Sequence, residues 1–247
     1  MKLTFRIWRQ DGPESKGSLK EYEVDELTDD MSFLEALDHL NELLVLKGEE
    51  VIAYEYDCRE GICGQCGVFI NGRAHGPHEN MTTCQLHLRS FRDGETITVE
   101  PWRAKSFPIV KDLIVDRSGL DRIIEQGAYI GAKTGTAPEA NAIPISKPIA
   151  DRAMDAAACI GCGACVATCK NSSAALFTSA KINHLNSLPQ GKPEANQRVM
   201  DMTKQMEEEG FGHCTFTGAC EVECPEGISI SNIAEMNARR IKARILT

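Results

Sequence analysis

No stretch of this sequence approaches the roughly 18 consecutive apolar residues that a membrane-spanning helix needs, so a chain that crosses the bilayer is not expected. The opening Met1-Lys2-Leu3-Thr4-Phe5-Arg6 alternates like a strand and lacks the apolar core of a secretory leader. The expectation is a compartment such as the cytosol or matrix, where thiols stay reduced and disulfides are rare. Positive charge is also scarce. A formal net charge of -9 argues against a nucleic-acid partner, because phosphate binding needs clustered Lys and Arg. The local exception is Arg239, Arg240, Lys242 and Arg244, read as cations at a helix C-terminus, with a docking patch for anionic lipid or an acidic partner as the lesser reading. No Gly-x-Gly-x-x-Gly follows a strand and there is no Walker loop, which excludes the usual devices for holding FAD or a nucleotide. His39, His75, His78, His87, His184 and His213 form no H-x3-H or H-E-x-x-H pattern and read as surface or core residues. His213 alone abuts a cysteine and could hydrogen-bond near it. Trp8 and Trp102 read as packing residues.

What the chain does have is cysteine. Eleven are present, in three groups. Cys58, Cys63, Cys66 and Cys84 form a C-x4-C-x2-C run with a fourth member further on, the spacing of a plant-type ferredoxin. Cys159, Cys162, Cys165 and Cys169 form the C-x2-C-x2-C-x3-C run of bacterial ferredoxins. Cys214, Cys220 and Cys224 form the third group, with Pro225 directly after the last. In a reducing compartment such crowding means metal, or less often redox chemistry.

The first spacing lets three thiolates converge while Cys84 closes the cage of a 2Fe–2S cluster. Gly61, Gly64 and Gly67 interleave with those ligands, and glycine lets the backbone approach sulfur closely. The competing reading is zinc, which also takes four Cys but more often from two separated C-x2-C knuckles. In two-cluster ferredoxins the fourth Cys of a run serves the other cluster. By that logic Cys159, Cys162, Cys165 and Cys224 hold a 4Fe–4S cluster, and Cys169 joins Cys214 and Cys220. A full run beginning at Cys214 would place a cysteine at position 217, where Thr217 stands. Iron–sulfur sites favour soft thiolate over a neutral hydroxyl, so the expected product on Cys169, Cys214 and Cys220 is a 3Fe–4S cluster. A 4Fe–4S cluster with an oxygen ligand is the competing reading.

Along the chain, Leu3 to Arg9 and Leu19 to Asp25 read as strands, and Thr96 to Val99 as another. Ser32 and Glu35 form a capping-box signature ahead of Phe33, Leu34, Leu37, Leu40, Leu43 and Leu44, with Gly48 as the stop. Val68-Phe69-Ile70 before Asn71-Gly72 predicts a hairpin. A connecting stretch follows from about 105 to 150, read as one helix carrying Ile109, Leu113, Ile114 and Ile123-Ile124, then an irregular crossing from Gly131 to Pro148. Beyond it the signals are helical: Arg152 to Ala158, a charged helix from Pro193 to Met206 ending near Gly210, and a last helix from Asn232 to about Ile245 capped by Ser231. The two cysteine-rich segments of this half resemble a duplicated ferredoxin unit. The fold class expected is α+β, with domains at 1–104 and 151–247 joined by 105–150.

The chain resembles the iron–sulfur subunit of succinate dehydrogenase and fumarate reductase. The carrying residues are Asp57 through Gly67, Phe107 through Asp116, Cys159 through Cys165, and Cys220 through Pro225. The resemblance implies a β-grasp N-terminal domain and a helical two-cluster C-terminal domain. It implies a partner flavoprotein whose covalent FAD oxidises succinate, and a membrane anchor with haem and quinone. Electrons would pass through the 2Fe–2S, 4Fe–4S and 3Fe–4S centres in turn, on the cytoplasmic side of the cell membrane.

The sequence departs from the best-known members at Lys170, where Pro is usual, at Ala174, near which many carry a Trp bordering quinone, and at Thr215, where a His often follows the cysteine. These departures look like the subgroup whose anchor is a single di-haem cytochrome b chain with menaquinone.

Overall fold

The computed structural model describes residues 1–131, 136 and 139–246. The part of the Gly131 to Pro148 crossing at 132–135, 137 and 138 lies outside the described residues. The N-terminal half is built on a five-stranded sheet: β1 (Leu3–Arg9), β2 (Ser18–Val24), β3 (Phe69–Ile70), β4 (Arg73–Ala74) and β5 (Thr96–Glu100), in the order β2-β1-β5-β3-β4. β1 runs parallel to β5 and antiparallel to β2, while β3 is antiparallel to both β4 and β5. Alternation along β1 sends Leu3, Phe5 and Ile7 to one face, where all three are fully buried.

Helix α1 (Phe33–Leu46) covers that face. Its start is the predicted capping box: Ser32 Oγ accepts from Glu35 N at 3.2 Å, and Glu35 Oε2 accepts from Ser32 N at 2.6 Å. Phe33, Leu34, Leu37, Leu40 and Leu44 point into the core. The Asn71-Gly72 turn joins β3 to β4 with both residues at positive φ (50° and 79°), as a two-residue hairpin of this hand requires.

The connecting stretch departs from the helix expected there. Residues 109–115 form a second, two-stranded ribbon, β6 (Ile109–Lys111) and β7 (Ile114–Val115), and only then does α2 (Ser118–Glu125) begin. The spacing of Ile109, Leu113 and Ile114 imitates a helix face, but the chain reverses at Asp112, whose φ is 46°. Asp112 is buried, and its carboxylate accepts from Arg9 Nε at 3.1 Å, Gln10 N at 2.9 Å and Ala53 N at 2.9 Å. Those three partners outweigh the helical periodicity. Leu113 packs into the N-terminal core, whereas Phe107 and Val115 belong to the C-terminal one.

The C-terminal half is helical: α3 (Lys147–Ala157), α4 (Ala164–Ala167), α5 (Ala175–Ser187), α6 (Ala195–Glu208), α7 (Ala219–Val222) and α8 (Ser231–Leu246). Together with the mixed sheet of the first half, this makes the chain an α+β protein. α5 is the central helix, packed against α3, α6 and α8. Beside it the Arg198 guanidinium, itself buried, donates to the carbonyl oxygens of Gly127 (2.6 Å), Gly191 (2.8 Å) and Tyr129 (2.7 Å). The last helix starts one residue before the predicted position, so Ser231 stands inside it.

The basic end read from the sequence is partly neutralised within the chain. Arg239 pairs with Glu235, and Arg240 with Glu207 at 2.7 Å, while Lys242 and Arg244 are exposed. No helix among the described residues is long and apolar enough to cross a membrane.

Candidate cluster-binding sites

The eleven cysteines are all free thiols, and the fold gathers them into three sets. Cys58, Cys63 and Cys66 stand on the loop between α1 and β3, and Cys84 on a 3-10 turn at Thr83–Gln85. In that loop Arg59, Gly61 and Gly64 take positive φ (56°, 84° and 73°), which curls the backbone and turns its N–H groups inward. Glu60 N and Ile62 N each donate to Cys58 Sγ at 3.4 Å, and Gln65 N donates to Cys63 Sγ at 3.5 Å. Burial works to raise the Cys58 thiol, but the Glu60 and Ile62 N–H groups and Cys63 outweigh it and bring it down to about 7. Cys66 goes the other way, to about 12, through burial and then the proximity of Cys84.

The second set draws on two distant segments. Cys159, Cys162 and Cys165 line one small cavity with Cys224, and its walls are Leu176, Phe177, Pro225 and Ile228. Burial pushes the Cys159, Cys162, Cys165 and Cys224 thiols upward. A second cavity holds Cys169, Cys214 and Cys220 together with Ser173, Thr215, Phe216 and Thr217. Cys220 is raised to about 11 by burial, then by Cys214 and Cys169. Leu176 lines both cavities, so the second and third sets are neighbours across one side chain.

The duplication visible in the sequence has a structural counterpart. α4 opens at Gly163-Ala164-Cys165 and α7 at Gly218-Ala219-Cys220, with both glycines left-handed at φ 84° and 82°. The residue ahead of the first glycine is Cys162; ahead of the second it is Thr217.

These donor sets suit iron–sulfur clusters. Burial keeps these thiols raised even with Lys181 near Cys159 and Arg117 near Cys162, whereas a bound metal ionises a coordinating thiol outright. The loops supply N–H donors to sulfur: Phe216 N donates to Cys214 Sγ and Ile228 N to Cys224 Sγ, both at 3.4 Å. Among the described residues no group of three His, Cys, Asp or Glu side chains is placed to hold a single metal ion, and the second and third thiol sets line cavities.

Other residues singled out from the sequence are placed as follows. The His213 ring is exposed; it is His213 O that is engaged, accepting from Asn171 Nδ2 at 2.9 Å. Ala174 is buried at the start of α5, and Lys170 and Thr215 are exposed. Trp8 Nε1 donates to Gln10 Oε1 at 3.0 Å. Trp102 does more than fill the core, because its Nε1 donates to Cys162 O at 2.9 Å. Arg117, which carries no motif, donates to Gly64 O at 2.8 Å and Cys162 O at 3.2 Å.

Comparison with known proteins agrees with this geometry. Residues 4–122 match the 2Fe-2S iron-sulfur cluster binding domain model, and residues 155–228 match the 4Fe-4S dicluster domain model. The molecule is thus a two-domain iron–sulfur protein. Among curated relatives, the succinate dehydrogenase iron-sulfur subunit of Bacillus subtilis is 27% identical over 245 residues, covering 95% of this chain and 91% of the relative. The fumarate reductase iron-sulfur subunit of Wolinella succinogenes is 30% identical over 173 residues, covering 68% of this chain and 66% of the relative. A chain of the Mycobacterium smegmatis Sdh1 complex in the apo form shares the fold, with a TM-score of 0.64 at 23% identity, over 99% of this chain and 97% of that one. The chain belongs to the family of succinate dehydrogenase and fumarate reductase iron–sulfur subunits, which are parts of an oxidoreductase.

Proposed function

We propose that this chain is the electron-transfer subunit of a membrane-bound succinate:quinone oxidoreductase. Residues 1–104 would form the β-grasp 2Fe–2S domain, 105–150 the connection and 151–247 the helical two-cluster domain. Cys58, Cys63, Cys66 and Cys84 would hold a 2Fe–2S cluster. Cys159, Cys162, Cys165 and Cys224 would hold a 4Fe–4S cluster, and Cys169, Cys214 and Cys220 a 3Fe–4S cluster. Bound clusters of this kind accept and release single electrons at potentials set by type, charge, hydrogen bonding and exposure. The observation that carries the reading is the contact order of the three sets. The first meets the second at Gly64, and the second meets the third at Leu176.

The repeat geometry supports the three-iron assignment, because the corner that Cys162 supplies in one repeat is Thr217 in the other. The partners on this reading are an FAD-bearing flavoprotein at the first set and a membrane anchor at the third. The anchor would be a di-haem cytochrome b binding menaquinone, on the cytoplasmic side of the cell membrane. The chain's own part is to hold sulfur donors, shield them in apolar walls and fix their spacing.

The test is Cys58→Ser in the assembled complex. Succinate oxidation with a soluble dye should remain detectable while quinone reduction falls sharply. Full quinone reductase activity in that variant would sink the proposal.

A further inference from the structure

The loop between Cys63 and Cys66 meets the loop between Cys159 and Cys162 with no side chain between them. A Cβ added at Gly64 would stand 2.5 Å from Ile160 O and 3.0 Å from Cys162 N, and the backbone there is already left-handed at φ 73°. Two cations reach this seam: Lys181 Nζ donates to Cys159 O at 2.6 Å, on the second loop alone, while Arg117 bridges both loops. Arg117 Nη1 donates to Gly64 O at 2.8 Å and to Cys162 O at 3.2 Å, one carbonyl from each loop. Nη2 donates to Glu55 Oε2 at 2.9 Å and to Gln65 Oε1, which fixes the plane of the guanidinium. The Arg117 side chain is 13% exposed, while that of its partner Glu55 is 36% exposed. The residue itself belongs to neither loop; it stands just ahead of α2, on the connecting stretch.

We propose that Arg117 is the positioning residue of the junction between the first and second thiol sets. Its guanidinium clamps Gly64 to Cys162 and holds the two loops at the separation across which electrons pass. This rests on the assignment of clusters to those loops made above. Two consequences follow from the chemistry. Electron tunnelling falls exponentially with distance, so a loosened seam acts on transfer out of proportion to its effect on stability. A fixed cation beside both loops also favours the more negative, reduced state on either side, and it does so most strongly where water is excluded. Lysine would keep the charge but not the planar fork that reaches two carbonyls and two side chains at once.

The test uses the whole complex with its clusters, carrying Arg117→Gln or Arg117→Lys. Iron and acid-labile sulfide are counted first. The magnetic coupling between the reduced first and second centres is then read by EPR relaxation, and the first centre's potential by redox titration. Both variants should keep wild-type iron and sulfide and show weakened coupling. Arg117→Gln should also lower the first centre's equilibrium constant for reduction by about tenfold, or about 59 mV for a one-electron couple. Arg117→Lys should leave that potential near wild type.

Coupling and potential unchanged in a fully loaded Arg117→Gln overturns the proposal alone. Should both variants fail to assemble, Glu55→Gln removes only the guanidinium's charged holder. Weakened coupling there supports the clamp, and unchanged coupling overturns it. Wild-type complex with iron for fewer than three cages overturns the cluster assignment, and this proposal with it.

Discussion

Trp102 Nε1 donates to Cys162 O across 60 residues of sequence, at 2.9 Å. The same ring closes over Gly67, where a Cβ would stand 2.6 Å from it, and meets Phe69 edge-on at 4.9 Å between centroids. One side chain thus touches the first cysteine loop and holds a carbonyl of the second. Trp102→Phe should lose the donor but keep most of the packing, at a cost of about 1 kcal/mol. Trp102→Ala should cost about 3–5 kcal/mol through the cavity it leaves. Denaturant unfolding of the two variants checks the order, and equal losses would show that the lost ring volume adds nothing beyond the hydrogen bond.

Thr217 stands where the repeat geometry calls for a fourth thiolate, beside Cys169, Cys214 and Cys220. On the proposed 3Fe–4S assignment, Thr217→Cys should add one iron per chain and convert the third centre to a 4Fe–4S type. Low-temperature EPR reads this directly. The signal of the oxidised three-iron form should fade in the variant and a new one appear on reduction. An unchanged oxidised signal with unchanged iron content would remove Thr217 from the account.

Asp112 is a buried carboxylate that ties the connecting stretch to the N-terminal half. Its side chain is 1% exposed and accepts from Arg9 and two backbone N–H groups. Asp112→Ala leaves a shielded guanidinium without its carboxylate, which should destabilise the protein by about 3–5 kcal/mol. Urea unfolding measures it. The effect should survive high salt, because a shielded pair is screened far less than a surface one.

His75 supplies a pH signature. Burial first, then the nearby Arg117 charge, lowers its pKa from 6.5 to about 4, so the folded protein holds it neutral. A depressed folded pKa means stability is present above 6.5 and is lost as pH falls toward 4. Unfolding free energy should drop by about 2 kcal/mol between about pH 7 and about pH 5 from this group. His75 has φ 63°, and asparagine tolerates that backbone, so His75→Asn should flatten this part of the profile. An equally steep profile in the variant would assign the slope to other groups.

The three cysteine sets and the first helix were legible because their signals are local. Thiol spacing, the Ser32–Glu35 capping box and the Asn71-Gly72 turn each act over a few residues. α5 was not legible as an element. Ten of its thirteen residues are buried on all sides, so no polar stripe marks it as amphipathic. The β6–β7 ribbon was masked by helical spacing, since what decides it is a carboxylate bonded to residues 59 and 102 or 103 positions away. Arg117 left no trace for the same reason, and Trp102 read as a packing residue with no sign of its bond across the seam. Their partners are carbonyl oxygens, which no residue identity reveals.

The β6–β7 ribbon gives Leu113 to one core and Val115 to the other, only two residues apart. Neither half can melt without dragging on this short splice, so heat should take the molecule apart in one cooperative event.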